Sequence, residues 1–196
     1  MELQKLSNIK VDEITFQEPF VNNTGAQTIL MKYNKNKLIF QIPESSIPNG
    51  ITTNNNKHFL DLKVEDKTTI ECLNEIDNYV KTQAEKMSNE WFKKVLAKET
   101  IDEIYKPTIK FSDSWRINFP MRNNEFVGEI YDSMNNIINT DVLNKKSRVD
   151  LIVQLTGIYF ISNSFGISWK VLQVRKNKNA TNECMFKDNE DEDIET

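Results

Sequence analysis

The sequence predicts a mainly β domain of the α+β class: a small antiparallel barrel with one long inserted helix and a disordered acidic C-terminal tail. Three observations carry this reading. Residues 149–161 and 165–174 are runs rich in β-branched and aromatic residues, joined by Ser162-Asn163-Ser164 with Gly166 just beyond, the pattern of a long hairpin. Over residues 68–98 the apolar positions change to a spacing of three and four, through Ile70, Leu73, Ile76, Val80, Ala84, Met87, Trp91 and Val95, which is the period of an amphipathic helix. Residues 183–196 hold seven acids and one base, Lys187, and a block of like charge at a terminus cannot bury itself.

The chain has 196 residues, a length that suits one domain over 1–182 with the helical insertion at about 68–98 and the tail at 183–196. Hydrophobic residues make up 38% and charged residues 28%, enough for a core beneath a polar surface. Glycine and proline number five each, which excludes a collagen-like or linker-dominated chain. No basic-then-apolar leader is visible at the N-terminus, and no run reaches the roughly 20 apolar residues that a membrane helix needs. The expectation is an intracellular protein with no membrane contact. Cys72 and Cys184 lie far apart without metal-type spacing, as expected of free thiols in a reducing compartment. The lone histidine, His58, sits beside an asparagine run and reads as a surface residue.

In chain order, residues 14–16 form a short strand limited by Pro19, and Asn22-Asn23-Thr24-Gly25 is a turn. Residues 27–33 and 37–42 are two strands around Asn34-Lys35-Asn36, with Pro43 ending the second. Residues 45–57, containing Pro48-Asn49-Gly50 and Asn54-Asn55-Asn56, read as a loop. Residues 58–64 alternate, with Phe59 on the face opposite Leu60 and Leu62. Thr68 and Glu71 fit a capping box at the start of the helix, with a break near Ser88-Asn89, and Trp91 and Phe92 add to its apolar face. After Lys106-Pro107 come strands at 108–111, 115–121 and 126–131, the last two joined at Asn123-Asn124. Residues 132–144 are a polar connection with room for a short helix. Roughly eight or nine strands with one main helix give a small barrel, and the oligonucleotide/oligosaccharide-binding (OB) barrel is one such architecture.

Charge is unevenly distributed. The whole chain carries −4 and residues 183–196 carry −6, so residues 1–182 carry +2. Between Leu151 and Asn182 there is no acid, while Lys170, Arg175, Lys176 and Lys178 are present. Aromatics beside unopposed positive charge suit a polyanion with exposed bases. For each aromatic taken singly, core packing is the plainer reading. The spacing places Phe165, Ile167, Trp169 and Val171 on one face and Lys170, Leu172, Val174 and Lys176 on the other. Stacking and phosphate contacts therefore cannot both come from one face of that strand. Glu125, Glu129 and Asp132, or Asp102 and Glu103, form no metal-ligand pattern, and no glycine-rich phosphate loop or nucleophile motif accompanies them, so no enzyme, metal or cofactor is expected.

Four segments together carry a resemblance. They are Thr24-Gly25-Ala26-Gln27 leading into Met31-Lys32-Tyr33-Asn34; Leu38-Ile39-Phe40-Gln41-Ile42-Pro43 with Asn49-Gly50 after it; Trp115-Arg116-Ile117-Asn118-Phe119-Pro120; and Leu155-Thr156-Gly157-Ile158-Tyr159-Phe160 with the run from Phe165 to Val174. The set resembles the single-stranded-DNA-binding proteins of nucleocytoplasmic large DNA viruses, a group similar in plan to those of short-tailed phages. The resemblance implies an OB barrel followed by an acidic tail, non-enzymatic binding of single-stranded DNA in viral replication, recombination or repair, and recruitment of replication proteins by the tail. It assigns no individual base-stacking residue. The tail departs from the phage pattern, which ends in an aromatic residue, because this chain ends Ile194-Glu195-Thr196 with Phe186 upstream.

On this reading the stacking candidates are Trp169, Tyr159 and Trp115, with Phe165 behind them. The phosphate candidates are Arg116, Lys170, Arg175 and Lys176, then Lys145, Lys146 and Arg148. The alternative is a virion structural or packaging protein that uses the barrel for protein contacts.

Overall fold

The computed structural model describes residues 3–23 and 25–177; Thr24, Lys178 and the acidic tail with Cys184 lie outside the described residues. The strands are β1 (Ile14–Phe16), β2 (Phe20–Val21), β3 (Gln27–Tyr33), β4 (Leu38–Ile47), β5 (Ile51–Asn54) and β6 (Lys57–Val64). Three helices follow, α1 (Lys67–Lys86), α2 (Ser88–Phe92) and α3 (Lys98–Ile104). After them come β7 (Tyr105–Lys106), β8 (Ile109–Lys110), β9 (Ser114–Asn118), β10 (Met121–Arg122), β11 (Glu125–Phe126) and β12 (Glu129–Tyr131). The described chain closes with the two longest strands, β13 (Ser147–Ile161) and β14 (Ser164–Lys176).

Five strands close on themselves. β13 pairs antiparallel with β14 and β4, β4 with β6, and β6 with β9. β9 then lies parallel to β14 at Asn118 and Lys170, which completes the ring. In chain order the barrel strands neighbour one another as first, second, third, fifth, fourth and back to first. This is the plan of a five-stranded OB barrel, so the fold class is as read from the sequence. Alternation fills the interior. Leu38, Phe40 and Ile42 of β4, Leu60, Leu62 and Val64 of β6, Trp115 and Ile117 of β9, and Leu151, Val153 and Leu155 of β13 are all buried.

The helical insert enters between the second and third barrel strands. Leu73, Ile76, Val80 and Ala84 of α1 join the barrel core. The Asp77 carboxylate, buried on the same helix face, accepts bonds from the Tyr105 hydroxyl (2.6 Å) and from the Thr108 backbone N–H and hydroxyl (both 2.7 Å). Thr108 also accepts from the Trp169 indole N–H at 3.3 Å. One carboxylate thus ties α1 to the segment leading into β8 and, through it, to the centre of β14.

Four details differ from the sequence reading. Pro43 does not end its strand, because β4 runs on to Ile47. The missing N–H falls beside an irregularity between Val149 and Leu151, where Glu44 takes φ +29° and its N–H bonds the Asp150 carboxylate. The 45–57 segment is accordingly a strand end and a hairpin, β5 on β6, not a loop. The helix breaks at Met87, as expected near Ser88-Asn89, but its N-cap is Asp66, bonded to the Thr69 N–H at 2.8 Å, in place of the Thr68 capping box, and α3 runs beyond the expected span to Ile104. Finally, Ile152 pairs with Gln173 but Val153 with Val171, so Leu172 is an extra residue in β14. Beyond this bulge the faces exchange, and Val174 and Lys176 point to the interior side with Val171.

Candidate nucleic-acid interface

The outer surface of β6 and β9 concentrates aromatic and basic side chains without burying them. On β6, Phe59, Asp61 and Lys63 alternate with the buried Leu60, Leu62 and Val64; on β9, Ser114, Arg116 and Asn118 alternate with the buried Trp115 and Ile117. Arg116 stands directly opposite Asp61 in the ladder. Its Nε and Nη2 donate to the two Asp61 carboxylate oxygens at 2.6 and 2.9 Å, and the Thr52 hydroxyl donates to the same carboxylate at 3.3 Å. Hydrogen bonding from Arg116 holds the Asp61 carboxyl below its usual range. The guanidinium carbon lies 5.7 Å from the centre of the Phe59 ring. The result is a cation within cation–π reach of an aromatic ring, its Nε and Nη2 held by a carboxylate, and a side chain still 53% exposed.

Register extends this surface in two rows across the barrel. Phe59 pairs with Asn118, Asn118 with Lys170, and Lys170 with Gln154. Four residues along β6, Arg148 pairs with Ser46, Ser46 with Lys63, Lys63 with Ser114, and Ser114 with Lys110. Directly paired side chains share a face, so Arg148, Lys63 and Lys110 form a cationic row with serines between them. At about 4.8 Å per strand, successive cations stand about 10 Å apart. Arg148 pairs with Glu65, and Lys63 lies 3.7 Å from Asp113, both at the surface. Exposed pairs of this kind contribute about 0–1 kcal/mol, little enough to exchange for a phosphate partner.

The residues chosen from sequence divide sharply. Trp115, Trp169 and Phe165 cannot stack on a base, because they are 1%, 4% and 0% exposed. Trp115 and Trp169 pack edge to face with centroids 5.3 Å apart, and Phe165 lies between Phe92 and Tyr105. Each belongs to the inner side of its strand. Tyr159 is half-buried at the far end of β13, beside β3, with its hydroxyl over Gly166 and its phenol pKa raised by burial. Arg116 and Lys170 do lie on the outer face described above. Arg175 is on the outer side of β14 and pairs with Asp150, with Nε 3.1 Å from a carboxylate oxygen, away from the β6 and β9 face. Lys176 is turned inward by the Leu172 bulge and donates to the Val142 carbonyl at 2.9 Å. Lys145 and Lys146 are exposed in the turn before β13, where the Lys146 N–H bonds the Ile47 carbonyl at 2.7 Å, and Arg148 opens the cationic row.

Phe59, Lys63 and Lys110 were not selected from sequence. Phe59 had a legible signal, since it alone of the β6 hydrophobics outside the core alternation falls on the polar face. The two lysines had none, because their meaning comes from register. A separate cavity of about 290 Å³ lies outside β13 and β14, lined by Gln41, Tyr131, Ile152, Gln173 and the Arg175–Asp150 pair. Tyr131 and Gln173 both donate to the neighbouring Glu129 carboxylate. Among the described residues no group of three His, Cys, Asp or Glu side chains could hold a metal ion, and no helix is long and apolar enough to cross a membrane.

Fold and surface together define a small OB-type barrel with a basic, aromatic-bearing outer face. The chain belongs to DUF5871, a family of unknown function, whose model matches residues 49–189. No curated protein matches. Among solved structures, it is similar to the single-stranded DNA-binding protein from bacteriophage Enc34, with 10% identity and a TM-score of 0.45 over 88% of this chain and 96% of that one. A C-terminal truncation of the same phage protein gives a TM-score of 0.44 at 10% identity, over 87% and 98% of the two chains. Its complex with single-stranded DNA gives 0.42 at 10% identity, over 84% and 93%.

Proposed function

We propose that this protein binds single-stranded DNA with little sequence preference and performs no catalysis. The observation that carries the reading is the outer face of β6 and β9, where Arg116 lies over Phe59 between a row containing Lys170 and a row containing Arg148, Lys63 and Lys110. A planar guanidinium backed by an aromatic ring is a platform on which an unpaired base stacks, whatever its identity. Flanking cations neutralise phosphates and release counterions, which gives affinity that falls with salt. The four sequence segments resembling the single-stranded-DNA-binding proteins of large DNA viruses support a place in viral DNA replication, recombination or repair, at the sites in the host cell where viral DNA is copied. In this reading the acidic residues 183–196 compete with DNA for the basic face or recruit replication proteins.

The second reading is a virion structural or packaging protein. Exposed Val127, Met134 and Ile137, in the segments flanking β12, favour it, because solvent-facing apolar side chains suit a protein contact.

Fluorescence anisotropy of a labelled thymidine oligomer, at low and moderate salt, separates the two. Binding that a single strand displaces and a matching duplex does not, and that weakens steeply with salt, supports the first reading. Absence of binding at low salt, with residues 183–196 removed as well, sinks it and leaves the protein-contact reading.

A further inference from the structure

In four places the described chain puts two consecutive non-glycine residues into the left-handed region: Asn34-Lys35, Asn55-Asn56, Phe111-Ser112 and Asn123-Asn124. Three of the pairs lie at the tips of hairpins between paired strands, and Asn34-Lys35 lies in a tight turn closed by the Tyr33–Asn36 bridge. Three of the four begin with asparagine, whose short amide bonds the local backbone and tolerates this conformation. The fourth begins with Phe111 at φ +50°, followed by Ser112 at φ +72°. A bulky aromatic at positive φ is an outlier, and its ring offers the local backbone no hydrogen bond in compensation. Burial does not compensate either, because Phe111 is 90% exposed. Two unfavourable features therefore coincide on one residue, and both vanish if asparagine replaces it.

The tip is held in place. The Val64 N–H donates to the Asp113 carbonyl at 2.9 Å, Lys63 lies 3.7 Å from the Asp113 carboxylate, and Ile109 pairs with the buried Trp115 just below. The ring is thus presented to solvent by a fixed hairpin. Lys110, its immediate neighbour, is the last member of the row Arg148, Ser46, Lys63, Ser114, Lys110. An aromatic platform at the end of a line of cations and hydroxyls has the chemistry of a nucleic-acid path whose final base leaves the sheet. Strain at such a position is a marker of function when the surroundings enforce it.

We propose that Phe111 stacks on an unpaired nucleobase of a single strand that crosses the barrel along Arg148, Lys63 and Lys110. This deepens the single-stranded-DNA reading and rests on it.

The test uses the full chain and a thymidine oligomer. Trp91, Trp115 and Trp169, the three tryptophans of the sequence, are 1%, 1% and 4% exposed, so Phe111→Trp introduces the only solvent-facing indole. Emission of this variant is expected to be quenched on addition of the oligomer, while that of the unaltered protein changes little. Phe111→Asn is expected to raise the thermal midpoint by relieving the turn, yet to weaken binding about 5- to 150-fold with an unchanged salt slope. Gain of stability with loss of affinity is a pairing that a merely structural residue would not give. The proposal is overturned if the unaltered protein binds the oligomer while the emission of Phe111→Trp does not respond and Phe111→Asn binds equally well. It is also overturned if Phe111→Asn changes only the sedimentation of the free protein, which assigns the ring to self-association. Failure of the unaltered protein to bind removes the single-strand reading itself, and with it the role of Phe111.

Discussion

Arg116 and Phe59 sit on adjacent barrel strands with the guanidinium 5.7 Å from the ring centre, and Asp61 grips the guanidinium from its edge. This relationship separates two contributions that usually travel together, charge and planarity. Arg116→Lys keeps the charge and loses the flat platform. It is expected to weaken oligomer binding by about 1–3 kcal/mol with the salt slope unchanged. Titrations at several salt concentrations check this; wild-type affinity in the lysine variant would remove Arg116 as a stacking surface.

The Leu172 bulge makes Lys170 and Lys176 unequal despite their even spacing. Lys170 stays on the outer face beside Asn118, while Lys176 turns inward to the Val142 carbonyl. Lys170→Ala is expected to lower affinity across all sequences and to reduce the slope of log affinity against log salt by about 1. Lys176→Ala is expected to leave that slope alone and to reduce stability slightly through the lost carbonyl bond. Equal effects of the two substitutions would contradict the register.

Asp77 gives the fold a distinctive pH response. Burial raises its carboxyl pKa above the usual range, against the opposing bonds from Tyr105 and Thr108. The folded state therefore holds this proton to higher pH than the unfolded chain does. Between the ordinary carboxylate pKa and the raised one, the folded state binds more protons, so the Asp77 contribution to stability falls as pH rises through that window. The amide introduced by Asp77→Asn cannot ionise. The stability of the wild type relative to Asp77→Asn, from urea unfolding at a series of pH values, is expected to decline from about pH 4 upward. A pH-independent difference would show that the carboxyl does not titrate in this window.

Residues 183–196 carry −6 beside a body of +2. If they compete with DNA for the basic face, their deletion tightens oligomer binding at low salt and the gain fades as salt screens the tail. Anisotropy of the truncated and full chains at matched salt checks this, and identical affinities at low salt would leave the tail only a partner or solubility role.

The long hairpin was legible because β13 and β14 carry their β-branched and aromatic runs on both sides of a polar turn. Counting strands around one helical insert points to a small barrel, of which the OB plan is one, and the resemblance to single-stranded-DNA-binding proteins points to that plan in particular. The bulge at Leu172 was not legible, since nothing in Val171-Leu172-Gln173 distinguishes an extra residue from a paired one, and the error exchanged the faces of Val174 and Lys176. Period 2 places Trp169 on the face opposite Lys170 but does not say which face is inside; burial settles it, with Trp115, Trp169 and Phe165 inside and Arg116 and Lys170 outside. The cationic row is a product of pairing segments far apart in the chain. Only register brings Arg148, Lys63 and Lys110 together.

The central claim is that the outer face of β6 and β9 receives single-stranded DNA. Amide chemical-shift mapping of the isotopically labelled protein during titration with a thymidine oligomer tests it most directly. The expected result is perturbation concentrated at Phe59, Asp61 and Lys63, at Lys110 through Asn118, and at Lys170, with the amides around the Tyr131 cavity unmoved. Binding whose perturbations cluster instead around Tyr131, Asp150 and Gln173, leaving β6 and β9 unchanged, would contradict the account.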